Sequence, residues 1–283
     1  MVELEVATGT ANVRSEPSAD RGEATVIATL RRGDAVRQLD WVKAHPDWVE
    51  VEAGGRRGFA KRMLFAQSNP GAFAAPPAAL RAAYNDAVWQ ATEDFDEVSY
   101  RLGSKNPKDG RVDCSGWIAF VNRLAFNATN TAAGWQVFSE KTLRLLNTHS
   151  DHQVSLPGYR AGQIYNGLAI ERLPFRPGLL IGINMRDYDW ERGQSRVYEI
   201  DHIVQTVASP AGTLWITQSS SSGGGVNRAK LEGWLASMSR LASENRLHVV
   251  DIFALAALVR PALETVQPGL ELPELDVAET PAG

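Results

Sequence analysis

The chain of 283 residues contains one cysteine, Cys114, which limits what can hold its fold together. A single thiol forms no internal disulfide, and it joins a zinc site only if ligands of other types take part. Cys114 stands directly before a helix-like apolar pattern, where first-turn N–H groups and the helix dipole stabilise a thiolate, the reactive form of cysteine. Because a free cysteine is more often buried and inert, Cys114 alone leaves two interpretations open: an inert thiol and a nucleophile.

Composition excludes several classes of protein. The chain is 44% hydrophobic and 22% charged, which is ordinary for a soluble globular protein. Its net charge of −4 argues against a nucleic-acid partner, since phosphate binding needs clustered Lys and Arg. No apolar run reaches the length of a membrane span. The segment Met1–Glu5 does not begin a signal peptide, so we expect either a removed leader or delivery by a specialised secretion system.

Residues 1–66 show short strand patterns separated by turn signals. Apolar residues alternate over 24–30 and recur over 35–39 and 48–51, with no pattern of helical length. Such close spacing predicts a small all-β barrel. Residues 67–77 are rich in Ala, Pro and Gly, and they predict a linker.

Residues 78–260 carry helical patterns first and strand-like patterns afterwards. The helical patterns cover residues 78–93, 115–124, 134–146, 159–172 and 228–242. The strand-like runs cover residues 179–183, 197–207, 213–217 and 247–253. This order predicts an α+β domain, in which helices pack on an antiparallel sheet. The segment 261–283 is rich in Pro and Glu and predicts a tail.

A thiol nucleophile needs a base and a group that orients the base. His202 opens a strand-like run, so its backbone would be fixed while its ring faces a cleft. Gln218 would come near His202 if the two strands pair as a hairpin, and its carbonyl could accept the imidazole N–H. Each residue alone is more often a strand residue without a catalytic role. His149 and His152 lie in a polar segment typical of a solvated loop, so the sequence predicts no metal site and no cofactor.

Four motifs in order along the chain resemble the signature of the NlpC-type cell-wall cysteine peptidases, which are papain-like. They are Tyr100-Arg101-Leu102-Gly103, Asp113-Cys114-Ser115-Gly116-Trp117, Arg176-Pro177-Gly178-Leu179-Leu180 followed by His202, and Gln218 with the Ser/Gly stretch to Val226. The resemblance covers about residues 78–255. The segments 11–18, 30–36, 48–51 and 58–60 resemble bacterial SH3-like domains, which are commonly joined to such catalytic domains.

The resemblance implies a peptidoglycan hydrolase that cleaves an amide in the peptide stem, between γ-D-glutamate and the diamino acid. It implies Cys114 as nucleophile, His202 as base and Gln218 as orienting residue. Tyr100 would line the cleft and help to stabilise the oxyanion. Asp113 and Ser115 match positions that contact the free amino end of the stem, although Asp113 is also suited to cap the following helix.

The resemblance places the protein in the periplasm or outside the cell, at the wall. One version of this function is an antibacterial effector, with a secretion or immunity partner that the sequence does not identify. Two alternatives remain open. The stretch between Cys114 and His202 is longer than the family pattern, which allows a cysteine-dependent acyltransferase or amidase acting on a substrate outside the wall. The other alternative is a non-catalytic module that binds the wall.

Overall fold

The computed structural model describes residues 2–67 except 43 and 46, 78–143 except 141, 175–185 and 200–259. The predicted linker beyond residue 67, the helical pattern at 159–172 and the tail from 261 lie outside the described residues. So do His149 and His152. None of the helices in the described ranges is long and apolar enough to cross a membrane.

The first part of the chain folds into a seven-stranded sheet in which every pairing is antiparallel. Its strands are β1 (Val2–Val6), β2 (Thr10–Arg14), β3 (Val26–Arg31), β4 (Ala35–Trp41), β5 (Trp48–Ala53), β6 (Arg56–Lys61) and β7 (Phe65–Gln67), in the spatial order β3-β2-β6-β5-β4-β1-β7. Alternate side chains, among them Leu4, Val13 and Val49, are buried in one hydrophobic cluster. The strand predicted from residue 24 begins only at Val26, because Gly22–Thr25 forms a 3₁₀ turn.

The second part of the chain forms a second seven-stranded sheet with helices on both faces. Its strands are β8 (Ser99–Tyr100), β9 (Arg111–Val112), β10 (Leu179–Ile183), β11 (His202–Ala208), β12 (Leu214–Ser220), β13 (Gly225–Lys230) and β14 (Leu247–Asp251), in the order β14-β10-β11-β12-β13-β8-β9. Its helices are α1 (Ala78–Asp94), α2 (Cys114–Ala133), α3 (Leu231–Ser237), α4 (Ser239–Ser243) and α5 (Ile252–Val259). The pairings are antiparallel except between β8 and β9.

Each face of this second sheet has its own core. Helices α1, α2 and α5 cover one face, where Tyr84, Trp117 and Phe253 are buried. Helices α3 and α4 cover the other face, where Trp234 and Leu241 pack. The chain therefore combines helices and sheets, as the sequence predicts for its fold class.

Helix α2 is longer than the apolar pattern over 115–124 predicts. Its second half contains Asn and Thr residues, which have low helix propensity. In that half, Thr129 Oγ1 bonds back to the helix by donating to the carbonyl of Ala125 at 2.7 Å, as Asn122 Nδ2 does in the first half by donating to the carbonyl of Ile118 at 2.7 Å. The helix ends where Gly134 adopts a left-handed conformation with φ of 70°.

Four other element predictions are wrong in part. The strand predicted over 197–207 begins only at His202, since residues 200 and 201 are not part of a strand and 197–199 lie outside the described residues. The start of the helix predicted over 134–146 is a turn, and helix resumes only at Glu140. The helix predicted over 228–242 begins at Leu231, because residues 228–230 continue the pairing between β12 and β13. The strand predicted over 247–253 ends at Asp251, whose carboxylate accepts the backbone N–H of Phe253 at 2.8 Å and starts α5.

Buried polar contacts fix α2 against the sheet. Asn122 Nδ2 donates to Gln205 Oε1 on β11 at 2.6 Å, and Gln205 Nε2 donates to the hydroxyl of Tyr84 at 2.8 Å. Trp117 Nε1 donates to Thr217 Oγ1 on β12 at 3.0 Å. Because these groups are cut off from water, losing one partner leaves another unsatisfied. The contacts therefore set where the first turn of α2, with Cys114, meets β11.

The first prediction concerns these contacts. Replacing Asn122 by Ala should lower the free energy of unfolding by about 2–4 kcal/mol, since Gln205 and Tyr84 lose a buried partner. Urea denaturation followed by circular dichroism measures the change. Asn127→Ala, on the exposed side of the same helix, should change stability by less than about 0.5 kcal/mol. Equal effects of the two substitutions would contradict a structural role for the buried network.

Candidate active site

Cys114 is the first residue of α2 and is nearly buried, with 8% of its surface exposed. Asp113 caps the helix, and its Oδ1 accepts the backbone N–H of Gly116 at 2.7 Å. The hydroxyl of Ser219 on β12 donates to the carbonyl of Val112 at 2.8 Å, which ties the strand before Cys114 to the sheet. Helix cap and strand together give Cys114 a fixed position.

The thiol of Cys114 is protonated in the resting protein. Burial, with the nearby carboxylate of Asp113, raises its pKa to about 11, although the backbone amides of Ile203 and Ser115 act in the opposite direction. The amide of Ser115, in the first turn of α2, thus favours the thiolate as expected, but burial and Asp113 outweigh it. The interaction with Ile203 places the sulfur against β11, at the residue that follows His202.

His202 and Gln218 lie together on neighbouring strands. The antiparallel register of β11 and β12, with Gln205 opposite Thr217, brings the start of β11 beside the end of β12. His202 Nε2 and Gln218 Oε1 are 2.8 Å apart. The contact predicted from hairpin pairing is therefore present, and the sheet itself positions both side chains.

Asn227 on β13 fixes which end of the Gln218 amide faces the imidazole. Gln218 Nε2 donates to Asn227 Oδ1 at 3.1 Å, and Asn227 Nδ2 donates to the carbonyl of Gly225 at 2.7 Å. The oxygen of Gln218 therefore faces His202, whose Nε2 must carry the hydrogen. Nδ1 is then the basic nitrogen of the ring. Asn227 was not identified from the sequence, although the hairpin register pairs it with Gln218.

The imidazole of His202 is a base at neutral pH. Burial lowers its pKa below the ordinary 6.5, against the opposing effect of the hydrogen bond that the ring donates to Gln218. The site thus holds a neutral thiol, which meets β11 at Ile203, and a neutral, oriented imidazole on the preceding residue of that strand. This arrangement suits general-base activation of the thiol during attack rather than a permanent thiolate.

Tyr100 lines a cleft of about 220 Å³ together with His202 and Gln218. Its strand, β8, reaches this place because Gly225 has no side chain: a Cβ there would lie 2.0 Å from the carbonyl oxygen of Val98. Ser220–Ser222 and Trp234 complete much of the wall. The structure thus places Tyr100 beside the base, as the resemblance implies.

Asp113 and Ser115 flank Cys114 in the sequence and contact each other, with Ser115 Oγ 3.1 Å from Asp113 Oδ1. Lys105, which sequence reasoning missed, contacts both of them. In the part of the chain that the structure describes, no three His, Cys, Asp or Glu side chains are grouped to hold a metal ion.

Comparison with known proteins gives only distant similarity. No protein-family model and no curated protein matches the chain. Among solved structures it is similar to NlpC2 from Trichomonas vaginalis, with 17% identity, a TM-score of 0.31 and coverage of 82% of this chain and 68% of that chain. NlpC1 from the same organism is 16% identical, with a TM-score of 0.29 and coverage of 82% of this chain and 65% of that chain. An NlpC/P60 endopeptidase from Photobacterium damselae subsp. piscicida is 9% identical, with a TM-score of 0.27 and coverage of 89% of this chain and 73% of that chain.

The chain thus spans about two thirds of the length of the Trichomonas proteins that it matches. These neighbours are NlpC/P60 proteins, but their TM-scores are too low to establish a shared fold. The chemistry proposed below therefore rests on the geometry around Cys114 and on the motifs of this chain.

The second prediction is a pH profile. Because His202 must be neutral to accept the thiol proton, kcat/KM should fall only as pH drops through a value below 6.5. It should then stay level through neutral pH, because the pKa of the Cys114 thiol is raised to about 11. Initial rates between acid and alkaline pH measure both limbs. An acid limb above 6.5 would contradict the lowered pKa of His202. Loss of activity just above neutral pH would instead indicate a resting thiolate–imidazolium pair, because the imidazolium that protonates the leaving amine would then lose its proton.

Proposed function

We propose that the protein is a cysteine hydrolase that cleaves an amide in the peptide stem of peptidoglycan. The observation that carries this proposal is a chain of contacts that leads from the thiol to the strand of an oriented histidine. Cys114 meets β11 at Ile203, and the adjacent His202 is oriented through Gln218 and Asn227. A buried thiol that meets the strand of an oriented base, at the residue after that base, supplies the two groups needed for nucleophilic attack on a carbonyl carbon.

The reaction begins when the sulfur of Cys114 attacks the carbonyl carbon and its proton passes to Nδ1 of His202. Backbone N–H groups near Cys114 and the hydroxyl of Tyr100 stabilise the oxyanion. The imidazolium then gives the proton to the leaving amine as the C–N bond breaks, which leaves a thioester. Water attacks the thioester, His202 takes one of its protons, and that proton returns to the sulfur as the acid leaves.

The substrate class is supported by the motifs of the chain. Those around Cys114, His202 and Gln218 resemble NlpC-type wall peptidases, whose stem bond lies between γ-D-glutamate and the diamino acid. The first sheet carries the segments that resemble bacterial SH3-like domains, and we assign it to wall targeting or substrate gating. We accordingly place the activity at the cell wall, in the periplasm or outside the cell.

Defined muropeptides test this function. Wild-type protein and the Cys114→Ala variant are incubated with stem peptides of known sequence, and the products are identified by mass spectrometry. We expect a new γ-D-glutamyl carboxylate and a new diamino-acid amine with the wild type alone. Identical product patterns from both proteins would overturn the proposal. Thiol-dependent turnover of other acyl substrates, with intact muropeptides, would favour the amidase or acyltransferase alternative.

A further inference from the structure

The ammonium group of Lys105 contacts the carboxylate of Asp113, the residue before Cys114. Lys105 Nζ lies 3.0 Å from Asp113 Oδ2 and 3.2 Å from Oδ1, and it also hydrogen-bonds to the hydroxyl of Ser115. Asp113 and Ser115 are the two residues that the resemblance assigns to the free amino end of a peptide stem. In this chain a lysine makes those contacts.

The carboxylate of Asp113 is already fully engaged. Oδ1 also accepts from the backbone N–H of Gly116 at 2.7 Å and from Ser115 Oγ at 3.1 Å, while Oδ2 accepts from the backbone N–H of Gly103 at 2.9 Å. Only 4% of the Asp113 side chain is exposed. Because a carboxylate offers about four acceptor positions, a substrate ammonium could bind Asp113 only by displacing Lys105.

The loop that carries Lys105 is held tightly against α2. A Cβ at Gly116 would lie 2.7 Å from the Cα of Lys105 and 2.8 Å from the carbonyl oxygen of Ser104. That same carbonyl accepts the backbone N–H of Asp113 at 2.8 Å. Close backbone packing therefore fixes the position of the Lys105 Cα beside α2. About half of the Lys105 side chain is nevertheless exposed.

The surrounding cleft is cationic. Lys105, Lys108 and Arg123 line a cavity of about 600 Å³, and the other lining residues described there, including Asn106 and Phe120, are uncharged. Arg123 has a carboxylate partner, Glu140, at 3.6 Å, but both side chains are more than half exposed and the pair is weak. An incoming ammonium meets repulsion in this cleft, whereas a carboxylate is attracted.

We propose that Lys105 is a specificity-determining residue that makes this cleft reject a free ammonium and accept stem peptides with an acylated amino end and a nearby carboxylate. The inference rests on the proposed function, because it names the substrate form for the same site. An acylated amino end is an uncharged amide that does not compete for Asp113. Stem peptides still joined to the glycan have this form.

Two peptides with the same scissile bond test the inference: L-Ala-γ-D-Glu-diaminopimelate with a free amino end, and its N-acetyl derivative. Wild-type kcat/KM should favour the N-acetyl peptide by about tenfold or more, chiefly through KM. Lys105→Gln should remove most of this preference, whereas Lys105→Arg should keep it. Arg240→Gln, a charge change on the exposed face of α4 and outside this cleft, should alter the preference by less than about threefold.

Binding to the Cys114→Ala protein separates failure of this inference from failure of the proposed function. Calorimetry measures the affinities of the same two peptides for this protein, which does not turn them over. Equal affinities, unchanged by Lys105→Gln, would overturn the role of Lys105 even if both peptides are cleaved by the wild type. Preferred binding of the N-acetyl peptide without Cys114-dependent cleavage would support the role of Lys105 and overturn the hydrolase proposal.

Discussion

Replacing Cys114 by Ala should abolish amide hydrolysis, with a loss of at least about 10⁴-fold in kcat. The substitution removes the atom that forms the thioester, and no other thiol exists in the chain. Ala is a strong helix former and is smaller than Cys, so the first turn of α2 should keep its cap at Asp113. The loss should therefore appear in kcat while the substrate still binds.

Steady-state rates on a stem peptide and calorimetric binding measure these two quantities. An unchanged far-ultraviolet circular dichroism spectrum serves as the control for folding. Ser115→Ala, which alters the neighbouring hydroxyl and leaves the thiol in place, should retain measurable turnover. Residual activity above about 1% of wild type in the Cys114→Ala protein would contradict a nucleophilic role.

Replacing His202 by Ala should lower kcat/KM at neutral pH by about 10³–10⁴-fold. The physical reason is the protonated state of the thiol. With a pKa of about 11, only about one Cys114 thiol in 10⁴ is ionised at pH 7 unless a base takes the proton. We assign this role to His202, which Gln218 holds at 2.8 Å and which precedes Ile203, the residue that the thiol meets on β11.

The same reasoning gives this variant a distinctive pH dependence. Without His202, kcat/KM should rise about tenfold per pH unit through the alkaline range, because hydroxide then supplies the thiolate. His45→Ala, which removes an exposed histidine near the first sheet, should keep the wild-type rate and profile. A His202→Ala protein with the wild-type pH profile would show that another group activates Cys114.

The protonated thiol also changes what alkylation can reveal. From the sequence, faster labelling by iodoacetamide than that of a free thiol would distinguish a catalytic cysteine from an inert one. The structure gives a resting thiol whose pKa is raised, so slow labelling at neutral pH fits both cases. Turnover and the pH profile are therefore the informative measurements.

Local patterns predicted those elements whose apolar spacing is regular. Strand β10 covers Leu179–Ile183, the predicted range, because a continuous apolar run follows a Pro-Gly turn. Helix α2 extends nine residues beyond its predicted end at Leu124, and in that extension Asn130 exchanges hydrogen bonds with the backbone of Phe138. Such bonds depend on tertiary contacts that periodicity does not report.

At the site, the sequence led to the contact between His202 and Gln218 because strand order and hairpin pairing are local properties. The protonation state of Cys114 could not be predicted, since it depends on burial and on the approach of Ile203 from a distant strand. Lys105 was missed because its contact with Asp113 requires loop and helix to meet at Gly116. The catalytic roles themselves stay predictions.

The central claim is that Cys114 carries a thioester during amide cleavage. The most direct measurement is rapid acid quenching during turnover of an N-acetylated stem peptide, followed by intact-protein and peptide mass spectrometry. We expect a transient adduct on Cys114 with the mass of the γ-D-glutamyl acyl fragment, which hydroxylamine removes and which the Cys114→Ala protein lacks. Product formation at the wild-type rate by the Cys114→Ala protein, with no adduct on Cys114 in the wild type, would rule out the thioester.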